Sequence, residues 1–187
     1  MSSDTKDRLF LIAIKELAKN GKSGFKLSKI AEEAGIKTPS IYAFFKSKKD
    51  LIDYTINRCD ESIKRNSPQC DISDDIHTLL FNIFIHYINE FSKEPLLSYY
   101  IFLAKESLSD KDAYQRYNAL LYSVEVQISF IVNEKISYNS EKADITNAIT
   151  SVIIKSFPSV MLILINEGEK AAVYEVNNII SFSSLLQ

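Results

Sequence analysis

Cysteine and histidine occur only twice each in the chain, and neither pair is placed for chemistry. Cys59 and Cys70 form no CxxC pattern, and His77 and His86, nine residues apart, would fall on different faces of a helix. No metal site is therefore expected, and two unpaired thiols in this context read as packing residues. Glycine and proline number four apiece; the glycines at 21, 24, 35 and 168 form no glycine-rich phosphate loop, and nothing suggests a disordered linker. The longest apolar runs, Val160 to Ile165 among them, are far too short to cross a bilayer. The first ten residues carry acids instead of the apolar core of a secretory signal, so the cytoplasm is the expected compartment, with no membrane partner. No Ser-His-Asp order with a nucleophile elbow and no marked pair of carboxylates is present. The chain is accordingly not expected to be an enzyme, and neither catalytic residues nor a cofactor are assigned.

What is present is helical. Across 187 residues, 46% hydrophobic and 25% charged, Leu, Ile, Ala, Phe, Lys and Glu recur at three- and four-residue intervals, and no strand-like alternation persists. There is no internal repeat and no low-complexity segment. Charge is unevenly divided. Through Arg65 there are 14 Lys and Arg against 9 Asp and Glu, a net +5, and the remainder carries 8 against 15, a net −7, within a total of −2. Seven lysines (Lys22, Lys26, Lys29, Lys37, Lys46, Lys48 and Lys49) lie between Asn20 and Lys49 against only Glu32 and Glu33. Such a cluster suits a nucleic-acid partner, and a solvated lysine-rich surface is the plain alternative.

The periodicity predicts about nine helices. The first spans Asp4 to Asn20 and stops at Asn20-Gly21, the second Leu27 to Ala34, the third Thr38 to about Phe45, and a long fourth Lys48 to Arg65. A turn at Ser67-Pro68 and a start at Ser73-Asp74-Asp75 lead into a helix to Phe91; Pro95 begins another through Leu108, and Asp110 one to Ile136. A break at Ser137 to Ser140 precedes a helix from Glu141 to Asn166 that Pro158 should kink, and a last helix runs from Ala172 to Leu186.

The most informative stretch is LSKIAEEAGIKTPSIYAFFKSKKDL, residues 27–51. Ala31 is small enough for a second helix to lie across its own, Gly35 can take the left-handed conformation that ends a helix abruptly, and Ile41 can plug the angle between two helices. Thr38 can cap the next helix, with Pro39 at its first position, and Ser47 can cap the fourth. On the third helix Ile41 and Phe45 share an inward face, which turns Tyr42 and Lys46 outward.

These residues resemble the head of the tetracycline-repressor (TetR) family of bacterial transcription regulators. The match is Ile30-Ala31-x-x-Ala34-Gly35-Ile36, Pro39-Ser40-Ile41-Tyr42 and Phe45-Lys46-Ser47-Lys48-x-Asp50-Leu51. The resemblance implies an all-α protein with a three-helix, helix-turn-helix head over residues 1–47 and a larger helical effector-binding and dimerisation body over 48–187. It further implies a homodimer that places the third helix of each head in the major groove of a palindromic double-stranded operator, with a small-molecule effector in the body that releases it. Repression is the commoner mode of the family. Carried over by position, Thr38, Pro39 and Ser40 would face bases, Tyr42 would meet a phosphate, and Lys48 would anchor the backbone. The DNA-facing set is completed by Lys26, Ser28, Lys37, Ala43, Phe44 and Lys46. The chain departs from the family at three of these: Lys26 where a capping Thr or Ser is usual, Phe44 where histidine is common, and Ala43 where a large residue is frequent.

In the body, Tyr and Phe are dense after residue 80, which fits both a core and a mostly apolar or aromatic effector of unspecified identity. His86, Tyr87, Tyr99, Phe102, Tyr117 and Tyr122 are the candidate effector contacts. The stretch from Val152 to Ile165 is apolar nearly all round, so it lies centrally or buries one side against a partner. The family habit of dimerising through the last two helices favours the second, with Phe157, Met161, Leu164, Ile179 and Phe182 as candidate contacts. A helical protein-interaction module without specific DNA binding is the rival reading, and it gives no reason for the basic charge to collect beside an Ala-Gly-Ile turn.

Overall fold

The computed structural model describes residues 2–65, 68, 69, 71, 74–136 and 151–184. Among them every regular element is a helix: α1 Ser2–Gly24, α2 Leu27–Glu33, α3 Thr38–Ile41, α4 Lys48–Arg65, α5 Ile76–Phe91, α6 Leu96–Glu106, α7 Lys111–Ile136, α8 Phe157–Glu167 and α9 Glu169–Ser184. A short helical stretch at 151–155 precedes α8.

Contacts divide the chain into two units, Met1–Asn66 with Lys93–Asn118, and Ser67–Ser92 with Ala119–Gln187. In the first, α1 packs against α6, α4 and α2. Its core is aliphatic on the α1 side, with Leu9, Ala13, Ile14 and Leu17 fully buried, and aromatic on the α6 side, with Tyr99 and Phe102. The i, i+4, i+8 spacing of Leu9, Ala13 and Leu17 is what gives α1 its single buried stripe. In the second unit α9 packs against α8 and α5. Phe157 of α8 centres an aromatic layer there, its ring 6.2 Å from Phe84, 5.6 Å from Tyr87 and 6.2 Å from Phe91.

Several boundaries differ from the sequence expectation for local reasons. Gly21 does break α1, at φ 64, ψ −178, but helical bonding resumes and carries the helix to Gly24. Within the start read at Ser73-Asp74-Asp75, Asp75 caps α5, its carboxylate accepting the backbone N–H of His77 and of Thr78 and the Thr78 hydroxyl. The Thr78 bonds hold the Asp75 carboxyl below the usual carboxylate range. The interruption attributed to Pro158 falls at Ser156, because Pro158 is tolerated in the first turn of a new helix, where its missing N–H costs nothing. Gly168, at φ 90, closes α8, and α9 starts directly after it instead of at Ala172. Cys70, Ser67, Ser73, the break at 137–140, the helix start at Glu141 and the end at Leu186 lie outside the described residues. So does the side chain of Phe182.

Candidate nucleic-acid interface

The turn between α2 and α3 is built by Gly35. At φ 65 it adopts the left-handed conformation, and no neighbouring atom would obstruct a Cβ, so backbone conformation alone calls for glycine. The Gly35 N–H donates to the Glu32 carbonyl and the Ile36 N–H to the Ala31 carbonyl, at 3.0 and 2.9 Å, the paired bonds of a Schellman C-terminus. Ala31 and Ala34, both 2% exposed, leave room for α3 to cross, and Ile41, 1% exposed, fills the angle. Phe45 is buried behind it, its ring 5.2 Å from that of Tyr54 on α4.

The expectation that Thr38 caps α3 is corrected. Lys37 occupies the cap position without a side-chain bond, and Thr38 is the first helical residue, which moves Pro39 to the second. Regular α-helix covers only Thr38 to Ile41, and the chain then continues through Phe45 as tight turns. Lys26 likewise stands at the start of α2 without a side-chain cap, as its departure from Thr or Ser implied. α4 by contrast is closed reciprocally. The Ser47 hydroxyl accepts the Asp50 N–H at 3.0 Å, and the Asp50 carboxylate accepts the Lys46 N–H at 2.7 Å. A cap of this kind contributes about 0.5–2 kcal/mol. It also fixes where Lys46 and Lys48 leave the backbone, and the Lys48 ammonium rests 5.8 Å from the centre of the Phe25 ring.

The outcome is a surface of short side chains rimmed by lysines. Pro39, Ser40, Ala43, Lys26, Ser28, Lys37 and Lys46 are exposed, while Thr38, Phe44 and Lys48 are half-buried. Tyr42 is 54% exposed, which rules out a core role for its ring. Burial of Ile41 and Phe45 opposite Tyr42 and Lys46 follows the facing read from the sequence. Two of the clustered lysines are paired within the chain, Lys49 with Asp53 one turn along α4 and Lys22 with acids near the start of α7. The Lys22 ammonium pairs with Asp110 and Asp112 at 3.0 and 3.2 Å. Burial lowers its pKa, but the hydrogen bonds and charges of the two carboxylates outweigh that and raise it overall.

Sequence reasoning missed Asp60 and Arg116. The Arg116 guanidinium bonds Asp112 through Nε at 3.2 and 3.3 Å and Asp60 through Nη1, and the other Asp60 oxygen accepts the Tyr99 hydroxyl. Burial would lower the Arg116 pKa, yet Asp60 and Asp112 raise it overall. Cys59 beside Asp60 is fully buried, and burial, reinforced by that carboxylate, pushes its thiol up to about 12. A maleimide added to native protein at neutral pH is therefore expected to spare Cys59 until the chain unfolds. Peptide mapping checks this, and native labelling of Cys59 at the rate of a free thiol would contradict it.

The candidate effector residues fall in both units. In the first unit Tyr99 and Phe102 are fully buried and stack at 6.4 Å, and Tyr117 pairs hydroxyl to hydroxyl with Tyr100 at 3.0 Å. In the second, His86 and Tyr87 meet edge to face at 5.4 Å, and Tyr122 is 66% exposed. Of the candidate dimer contacts, Phe157, Met161 and Leu164 are at most 5% exposed within a single chain, so they have almost no surface left for a partner, and Ile179 is half-buried. The outward side of the last two helices is carried instead by Leu162, 60% exposed, and Tyr174, 68% exposed. Among the described residues no helix is long and apolar enough to cross a membrane, and no three His, Cys, Asp or Glu side chains gather as a metal site requires.

Known structures share this fold over almost the whole chain. A TetR transcriptional regulator from Chloroflexus aurantiacus J-10-FL superposes with a TM-score of 0.72 at 18% identity, covering 97% of this chain and 95% of its own. The regulator FadR from Bacillus subtilis, solved with stearoyl-CoA, gives 0.61 at 18% identity over 95% and 96%. The flavonoid-responsive regulator FrrA gives 0.59 at 18% identity over 97% and 95%. No curated protein matches the chain closely in sequence. Residues 12–55, which hold α2, α3 and the turn between them, match the model of the bacterial regulatory proteins of the tetR family. Residues 12–55 therefore carry a tetR-family head, and the chain as a whole shares the fold of these regulators. In the terms of that family α2 and α3 are the helix-turn-helix.

Proposed function

We propose that residues 1–47 of this chain read a palindromic operator as the heads of a homodimer, and that residues 48–187 receive a small apolar or aromatic effector that releases the DNA. Repression is the mode we assign. The observation that carries the reading is the exposed row Pro39, Ser40, Tyr42 and Ala43, held on a turn pinned by buried Ile41 and flanked by Lys37 and Lys46. Such a row brings few side chains within reach of base edges, so most affinity comes from phosphates. Thr38, Pro39 and Ser40 then supply specificity, Phe44 meets a thymine methyl or packs, and Lys26, Ser28, Tyr42 and Lys48 hold the backbone. Self-association is assigned to the outer side of α8 and α9, at Leu162 and Tyr174.

For the effector, the B. subtilis relative bound to stearoyl-CoA and the flavonoid-responsive FrrA both support a largely apolar ligand. In the second unit the Tyr87 hydroxyl donates to Gln127 Oε1 at 3.0 Å beside the Phe84, Phe91 and Phe157 layer. A polar pair at an aromatic wall suits recognition of a ligand with one polar end, so His86 and Tyr87 are the preferred contacts of the six.

Enrichment of protein-bound duplexes from a random pool tests the reading. Palindromes with half-sites about one helical turn apart are the expected product. A pool with no consensus after repeated rounds would overturn it in favour of a helical interaction module. Within the head, Lys48→Ala should weaken every duplex alike and lower the salt slope by about one, while Ser40→Ala should change preference at particular base pairs. Indistinguishable behaviour of the two variants in salt-dependent titrations would refute these roles.

A further inference from the structure

Between α4 and the start of α7 lies an open cavity of about 720 Å³ lined by Lys22, Lys48, Lys49, Ile52, Asp53, Asn57, Asp112 and Arg116. Its lining is mostly charged and amide side chains, and polar groups from neighbouring helices cross at its edge. What crosses is a continuous chain of charged and hydroxyl groups from four helices. Lys22 on α1 reaches Asp112 on α7, Asp112 shares Arg116 one turn further along α7, Arg116 bonds Asp60 on α4, and Asp60 accepts Tyr99 from α6. A second fastening lies beside the first. The Glu106 carboxylate at the end of α6 accepts the Lys22 N–H at 3.4 Å and sits against Gly21, where a Cβ would collide with it. Lys105 of α6 donates to the Ala18 carbonyl at 3.1 Å.

Arg116 is the branch point of this chain. It contacts carboxylates of both α4 and α7, and a planar guanidinium holds two acids in fixed relative directions, which the point charge of a lysine does not. The Arg116 Nε and Nη1 are both engaged by carboxylates of this chain. We propose that Arg116 is a positioning residue for DNA recognition: by gripping Asp60 and Asp112 together it sets the angle at which α4, and with it Lys48 and α3, is presented to DNA. This rests on the reading of the head as a DNA reader.

The consequence is specific. Binding at a true operator requires both heads of a dimer in register, whereas binding to random duplex requires only positive charge. Arg116→Gln should therefore lower affinity for the selected duplex about tenfold, the size of coupling within a contact network, and leave random-duplex affinity and its salt slope unchanged. Arg116→Lys, which keeps the charge and loses the fork, should show the same loss in smaller degree. Equal loss on both duplexes with a reduced salt slope would make Arg116 a phosphate contact and overturn the proposal, as would unchanged affinity in both variants.

A readout without DNA separates this proposal from the regulator reading. Spin labels at Glu33→Cys on α2 and Lys111→Cys on α7, in full-length protein with Cys70→Ser and diluted with unlabelled chains, report the angle within one chain. A single narrow distance distribution is expected in the parent and a broadened or shifted one in Arg116→Gln, at unchanged helicity by circular dichroism. Superimposable distributions would overturn the positioning role even if operator binding is found. A parent that prefers no duplex, together with a broadened Arg116→Gln distribution, would defeat the regulator reading and the DNA role while leaving the mechanical link. If Arg116→Gln does not fold, Arg116→Lys takes its place in both measurements.

Discussion

Ile41→Ala should abolish operator binding although it touches no DNA. The side chain is 1% exposed at the crossing of α2 and α3, and deleting it removes burial and leaves a cavity at a cost of about 2–5 kcal/mol. The α2 and α3 pair is short, seven and four helical residues, so few other side chains hold the crossing. Loss of Ile41 therefore frees the α3 turn, which is held mainly by that side chain and by Phe45. Affinity for operator and for random duplex should fall together, by more than either Lys48→Ala or Ser40→Ala. Far-UV circular dichroism should record only a small loss of helix, since α3 itself contributes four residues. Operator affinity within a factor of two of the parent would show that the turn is held some other way.

Phe157→Ala should produce the largest loss of stability in the second unit. Its ring lies within 6.2 Å of those of Phe84, Tyr87 and Phe91, and emptying such a site costs about 3–5 kcal/mol. At about 2–4 °C per kcal/mol for a chain of this size, the melting temperature should drop by roughly 6–20 °C. The comparison also decides between two roles for this residue. A core residue lowers the melting temperature by the same amount at every protein concentration, while an interface residue loses more when the protein is dilute. Calorimetry across a tenfold concentration range reads the difference, and a drop that vanishes at high concentration would return Phe157 to the dimer face.

The contrast between these two residues shows what a sequence carries and what it does not. Ile41 was legible because Ala31, Gly35 and Ile41 act over ten residues of chain, where spacing, small size and a left-handed glycine determine local geometry directly. The inward facing of Phe45, the cap at Ser47 and the break near Pro158 belong to the same class. Phe157, Met161 and Leu164 were legible as apolar helix, but a helix that is apolar all round has no sidedness in its sequence. Only the packing of α5 and α9 settles which of its faces is spent within the chain. Thr38 was read as a cap because its hydroxyl suits that place. The backbone instead begins α3 one residue earlier, and a boundary shift of that size is ordinary where caps compete.

The charged network lies at the far end of that scale. Arg116 and Asp60 are 56 residues apart, and Lys22 and Asp110 are 88 apart. Side chains of Arg116 and Asp60 retain 31% and 29% of their exposure, so each pair contributes about 0.2–1 kcal/mol at most to stability. Nothing in local periodicity selects one partner for Arg116 over another carboxylate. Such small energies matter less for whether the chain folds than for the angle between helices that are already folded.

The central claim, that the head is a sequence-specific DNA reader, is tested most directly by fluorescence anisotropy on labelled DNA flanking the protein's own gene. The titration is run against a scrambled duplex of the same composition at about 50 and 200 mM salt. The account predicts tighter binding to the flanking DNA at both salt concentrations, with the scrambled duplex weakening steeply as salt rises. Equal affinity for the two duplexes at both concentrations would contradict it.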